Sequence, residues 1–233
     1  EKHYHEKPMR LPSFMGYEAA PPWPDVGPPP KERNGFTTYG YLGRVVKLSP
    51  QTLSTWAQIL QRDPTARLLL KGGEYTDPAI VDQIARALGA LGVERGRLEF
   101  RMGSSRPDHL ASYSDVDVML DPFPHGAGVT LVESVLMGVP PITLLGDYVC
   151  GRVGASILTT LGFKSAIART PYEYVANSVA TGSEEWTLED RQALRRRVAN
   201  SILMDAETYA SAAEDAYRAA WGKWCNQRLK GSG

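Results

Sequence analysis

The residues best equipped for chemistry lie in Asp121-Pro-Phe-Pro-His-Gly-Ala-Gly-Val-Thr-Leu-Val-Glu133, where two glycines open directly into a helix-period run. Such a loop leaves the backbone N–H groups of Gly128, Val129 and Thr130 without intrahelical acceptors. Pointing outward, they form an anion site at the positive end of a helix. Thr130 adds a hydroxyl, and Glu133, one turn further in, is placed to accept hydrogen bonds from a ribose diol. The pattern is neither the dinucleotide fingerprint Gly-x-Gly-x-x-Gly nor a Walker loop. Taken alone it indicates the phosphate of some ligand. The competing reading is a glycine-rich turn required only for close strand–helix packing.

Three other segments carry similar equipment. Gly43-Arg-Val-Val-Lys47 puts a lysine where it can reach a diphosphate from the opposite side of a cleft. Gly103-Ser-Ser-Arg-Pro-Asp-His109 supplies a small-residue turn containing Ser104, then the Arg106 cation and His109. Gly146-Asp-Tyr-Val-Cys-Gly-Arg152 leads into another helix start with a cation beside it. The sequence has no His-Glu-x-x-His, EF-hand loop, Cys-x-x-Cys or Gly-x-Ser-x-Gly, so metal hydrolysis and acyl-serine chemistry find no support.

Each of these segments follows a short apolar run that reads as a strand. The candidates are 37–42, 66–71, 97–101, 116–121, 141–145 and 165–168, alternating with helix-period segments. Ser49-Pro50 and Asp77-Pro78 are helix starts, a capping side chain followed by proline at the first helical position. Helices are expected over 128–137 and 152–161, each closed by a glycine (Gly138, Gly162), and then over 171–180, 188–204 and 207–227. This order predicts one α/β domain, a doubly wound Rossmann-like parallel sheet with C-terminal helices. Ligands of such sheets bind beyond the carboxyl ends of the strands, where all four segments lie. Arg195-Arg196-Arg197 reads as the solvated face of its helix. Eight of the 17 prolines fall in the first 30 residues. Residues 1–34 are therefore expected to be an extended, Pro-rich strap or linker lying over the surface, and residues 35–233 the lobe itself.

Composition narrows the function classes. In 233 residues, 26 Lys+Arg balance 26 Asp+Glu, which gives no support to sequence-independent nucleic-acid binding. The longest uncharged stretch, 48–61, is short and largely polar, so no membrane-spanning helix is expected. Two cysteines make neither a disulfide framework nor a zinc site, and a cytoplasmic setting is the default. A start at Glu1 and a Lys-Gly-Ser-Gly end suggest a piece of a longer polypeptide.

The run Leu120-Asp-Pro-Phe-Pro through Thr130, Glu133-Ser and Met137-Gly-Val-Pro-Pro-Ile-Thr-Leu-Leu-Gly-Asp147 resembles the O-GlcNAc transferase and SPINDLY family of glycosyltransferases. So do Gly151-Arg-Val-Gly-Ala-Ser-Ile-Leu158, Lys47-Leu-Ser-Pro50 with Trp56, and Ala216-Tyr-Arg-Ala-Ala-Trp221 with Trp224-Cys225. The pattern is closer to the bacterial members. The resemblance implies the C-terminal half of a two-lobed, GT-B, inverting and metal-independent enzyme. Its partners would be a nucleotide sugar, an acceptor protein, an N-terminal catalytic lobe and tetratricopeptide repeats. By position, Lys47 corresponds to the family's essential lysine at the donor diphosphate. Arg44, Ser104, Arg106, His109, Gly128, Val129, Thr130 and Glu133 correspond to donor-binding positions, with no metal ligand and no cofactor. Gly128 and Val129 depart from the Thr or His, then Thr, of many relatives, and Gly43 replaces a common asparagine. UDP-GlcNAc is the expected donor. The alternatives are GDP-fucose, as in SPINDLY-like members, and a non-catalytic module that binds a nucleotide or a protein.

Overall fold

A computed structural model describes residues 5, 7–13, 15–18 and 22–230. Residues 1–4 of the strap and 231–233 of the tail lie outside that set. The elements run α1 (Pro30–Asn34), β1 (Thr38–Leu42), α2 (Pro50–Arg62), β2 (Arg67–Gly72), α3 (Pro78–Gly89), β3 (Leu98–Met102), α4 (Arg106–Ala111), β4 (Val118–Leu120), α5 (Val129–Leu136), β5 (Pro141–Leu144), α6 (Val153–Thr160), β6 (Ile167–Ala168), α7 (Pro171–Ser183), α8 (Leu188–Ala199) and α9 (Ala206–Lys230). The six strands form a parallel sheet in the order β3-β2-β1-β4-β5-β6, the doubly wound arrangement expected from the sequence.

Local signals account for most starts and stops. The Ser49 hydroxyl accepts from Thr52 N–H at 3.0 Å and Asp77 accepts from Ala79 N–H at 2.9 Å, each ahead of a first-turn proline. Thr187 and Asp190 close a reciprocal capping box on α8. Gly138 and Gly162 take positive φ of 75° and 77° just beyond α5 and α6.

Several expectations shift, beginning with the Pro-rich strap, whose last residues Pro30–Asn34 form helix α1 with proline at its first position. Arg97 precedes its strand and spends its guanidinium on the carbonyls of Leu60, Asp63 and Ala66 at 2.7–2.8 Å. Helix α8 ends at Ala199, not 204. The 103–109 turn becomes a helix at Arg106, because the Ser105 hydroxyl caps Asp108 N–H at 3.4 Å.

One buried cluster packs α2, α3 and α7 on one face of the sheet, and a second packs α5, α6 and α8 on the other. Tyr17 belongs to the second cluster. Its N–H donates to Leu203 O at 2.6 Å, and Val26 is buried against Gly138. The arginine triplet is not uniformly solvated. Arg196 pairs with Glu189 and Arg197 lies 4.5 Å over the Phe163 ring, but Arg195 donates to Leu136 O and Pro24 O at 2.8 and 2.6 Å. Buried Arg191 reaches Tyr113 O and Pro28 O at 3.3 and 3.5 Å. Two helix arginines therefore fasten the strap.

Candidate functional site

The strand order reverses between β1 and β4, and the crevice beyond their carboxyl ends is where a doubly wound sheet takes ligands. Lys47 enters it from the single 3-10 turn after β1, and its Nζ donates to Gly126 O, 2.9 Å away in the loop after β4. Burial lowers the Lys47 pKa, opposed by the Asp121 charge and aided by Arg44. An ammonium has three donors, so two remain for a ligand beside the Gly126 carbonyl. Among the described residues no protein acceptor takes the amides of Gly128, Val129 or Thr130, which open α5 at the same crevice.

The Gly126–Gly128 loop is held from beneath by Asp121. Its carboxyl accepts from Ala127 N–H and from the Thr143 hydroxyl, both at 2.6 Å. Burial pushes this carboxyl up to about 7, against the hydrogen bonds of Thr143 and Ala127 and the Lys47 charge. The start of α2 secures the next residues, for the hydroxyls of Ser49 and Thr52 donate to Phe123 O at 2.7 and 2.5 Å. Tyr174 donates to Asp121 O at 3.0 Å and accepts from Trp56 Nε1 at 3.2 Å.

On the far side of the α5 start, Glu133 is 1% exposed yet ionised more readily than an ordinary glutamate. Burial opposes its ionisation, but hydrogen bonds from His109 and Arg106 and their charges outweigh that cost. Arg106 pairs with Oε1, His109 Nε2 lies 3.4 Å from Oε2, and the hydroxyls of Tyr17 and Tyr113 stand 3.2 and 3.5 Å away. Tyr113 gives its single O–H to Thr130 O at 2.9 Å, which leaves Arg106, His109 and Tyr17 around the carboxylate, and a ribose diol would have to displace one of them. Arg106, with its side chain 51% exposed, is the donor free to move.

Of the residues singled out by sequence, Lys47, Gly128, Val129 and Thr130 share one crevice, with Arg106, His109 and Glu133 at its far wall. Ser104 stands back, accepting from buried Lys71 Nζ at 2.7 Å. Arg44 turns outward, 76% exposed and 3.4 Å from Glu74. Sequence reasoning missed Tyr17, Tyr113 and Asp121. Asp121 had a legible signal, a carboxylate ending an apolar strand. Tyr17 had none, since 116 residues separate it from Glu133. Among the described residues, no group of three His, Cys, Asp or Glu side chains converges as metal ligands, and no helix is long and apolar enough to cross a membrane.

The profile of glycosyl transferase family 41 matches residues 34–213, most of the chain. The chain belongs to that family. This family 41 chain is 34% identical over 229 residues to a Hordeum vulgare protein named probable UDP-N-acetylglucosamine--peptide N-acetylglucosaminyltransferase SPINDLY, covering 97% of this chain and 24% of the relative. A UDP-N-acetylglucosamine--peptide N-acetylglucosaminyltransferase of Caenorhabditis elegans is 25% identical over 182 residues, 78% of this chain and 16% of the relative. Among solved structures, a mutant of the Thermobaculum terrenum O-GlcNAc transferase superposes with TM-score 0.82 at 33% identity, covering 90% of this chain and 40% of that one. S. aureus TarM, at 12% identity and TM-score 0.55, shares the fold alone. The family 41 chain spans about a quarter of the length of the SPINDLY relatives.

Proposed function

We propose that residues 35–233 form the nucleotide-sugar-binding lobe of an inverting, metal-independent protein O-glycosyltransferase, with residues 1–34 as its strap. The observation that carries this is Lys47 standing at the strand-order reversal beside the open amides of α5. The donor diphosphate lies on Gly128, Val129 and Thr130, and Lys47 contacts it from across the crevice. The nucleoside rests toward Arg106, His109 and Glu133. A Ser or Thr hydroxyl of the acceptor attacks the anomeric carbon from the face opposite the phosphate and gives up its proton to a base supplied by the rest of the polypeptide. The carbon–phosphate oxygen bond breaks, and its electron pair leaves on the nucleoside diphosphate. Lys47 and the α5 amides are fixed donors aimed at that developing charge, so they stabilise the transition state more than the ground state. In this reading they supply the positive charge that a metal supplies elsewhere. The remaining catalytic groups and the repeats that select the acceptor come from the rest of the polypeptide.

UDP-GlcNAc is the donor this reading favours, by similarity to relatives whose names carry it. Calorimetric titration of the chain with UDP, UDP-GlcNAc and GDP tests it. Binding of UDP and its sugar conjugate is expected. Tighter binding of GDP would move the reading to a GDP-sugar donor, and binding of none would sink it. Lys47→Ala is expected to weaken UDP binding about tenfold, the loss of one charge-assisted contact, with the melting temperature unchanged.

A further inference from the structure

We propose that a basic groove along α6 docks an acidic stretch of polypeptide, carried by the acceptor close to its reacting hydroxyl. This rests on reading the chain as part of a protein-modifying transferase. The groove, about 810 Å³, runs between the end of β5, helix α6 and β6. Arg152, Lys164 and Arg169 line it from three separate segments, all three exposed, and Arg10 of the strap lines it as well. Among the described residues no Asp or Glu lines it. The chain as a whole is neutral, so this excess of positive charge is local. Asp147 lies outside the lining, and Glu173 stands at the edge of the groove, accepting from Arg169 N–H at 2.7 Å.

The groove and the candidate site share a wall. Gly126, whose carbonyl receives Lys47, donates its N–H to Cys150 O at 3.0 Å. Val153 lines the groove, and its Cγ1 would lie 3.5 Å from a Cβ placed on Gly128. A polypeptide presenting a hydroxyl at the start of α5 therefore has the groove as its neighbouring channel.

The lining chemistry fits a polypeptide better than a nucleic acid. Among the described residues no aromatic ring lines the groove for a base to stack on. The hydroxyls of Thr159 and Thr160 donate inward to Ala155 O and Ser156 O at 2.7 and 3.0 Å. Their lone pairs are left to accept, which suits peptide N–H donors and not a phosphodiester backbone. Arg152, Lys164 and Arg169 come from three separate segments around the groove, and carboxylates carried on a polypeptide are the complementary charge.

Fluorescence polarisation on this chain tests the proposal with two labelled serine peptides, identical except that one carries a run of Glu and the other Gln. The Glu peptide is expected to bind about tenfold more tightly at low salt, with the advantage shrinking as salt rises. Lys164→Glu combined with Arg169→Glu should abolish that preference while UDP binding and the melting temperature stay unchanged. Equal binding of the two peptides by the unaltered chain would overturn the proposal, as would a preference that survives the double substitution. Displacement of the Glu peptide by a short oligodeoxynucleotide of equal charge would also overturn it, by showing an unselective polyanion surface. UDP titration reports separately on the nucleotide-sugar reading, so the two can fail independently.

Discussion

Asp121 and Glu133 show how two buried carboxylates reach opposite protonation tendencies within one site. Glu133 has the His109 imidazole at one oxygen and the Arg106 guanidinium at the other, and these hold its carboxyl low. Asp121 has an amide, a hydroxyl and a more remote lysine, which do not offset its burial, and it rises to about 7 from an ordinary 3.8. Because the folded-state value is the higher one, Asp121 binds its proton more tightly in the folded chain. Its contribution to stability is full below about pH 4 and is lost as the pH climbs to about 7. The whole effect is roughly 4 kcal/mol at most. Urea denaturation of the chain and of Asp121→Asn across that window is expected to show the stability difference drifting against the unaltered chain as pH rises. A difference that stays constant with pH would remove Asp121 from this role. Lys47, across the loop, senses the same titration, so UDP affinity is expected to respond to pH in the same window.

At the scale of elements, the crevice depends on how closely α6 approaches β4 and β5. A Cβ on Gly154 would meet Asp121 Oδ2 at 2.5 Å and Thr143 Oγ1 at 2.6 Å, so only glycine lets the helix lie against that buried pair. Gly154→Ala is expected to push α6 outward and destabilise the chain by about 1–3 kcal/mol, the usual cost of overpacking a filled core. Thermal unfolding checks this, and an unchanged melting temperature would mean that α6 has slack. Helix α4 plays a parallel part on the opposite wall. It is short, but its Ser105 cap sets Arg106 and His109 toward Glu133, and Lys71 beneath it donates to Ser104 and Ser112 at 2.7 and 2.6 Å.

At the scale of the whole molecule, the strap ties the segment after α8 to the site. Tyr17 is anchored by Leu203 after α8, and its hydroxyl accepts from Arg106 Nη2 at 2.8 Å. Deleting residues 1–28 would expose the surfaces that bury Tyr17 and Val26 and leave Arg191 and Arg195 without their strap carbonyls. The expected loss is roughly 3–6 kcal/mol, from two buried side chains and several hydrogen bonds. Chemical denaturation measures it, and UDP affinity should fall as well because Arg106 loses a restraint. A truncated chain of full stability would show that the strap merely lies on the surface.

The sequence by itself determined the alternation of strands and helices, the helix starts at Pro50 and Pro78, and the segments that reach the carboxyl edge of the sheet. These follow from hydrophobic period, capping residues, proline and glycine, all of which act within a few residues along the chain. It also carried the family, through the run from Leu120 to Asp147. The tertiary structure decided which of the gathered residues touch. It turned Arg44 toward Glu74, set Ser104 on Lys71, and brought Tyr17 onto Glu133 across 116 residues of chain. It also turned an expected ribose acceptor into a carboxylate already met by Arg106, His109 and Tyr17. Contacts between distant segments are chosen by burial and by the pairing of every polar group enclosed with them, and a local pattern holds no record of that choice.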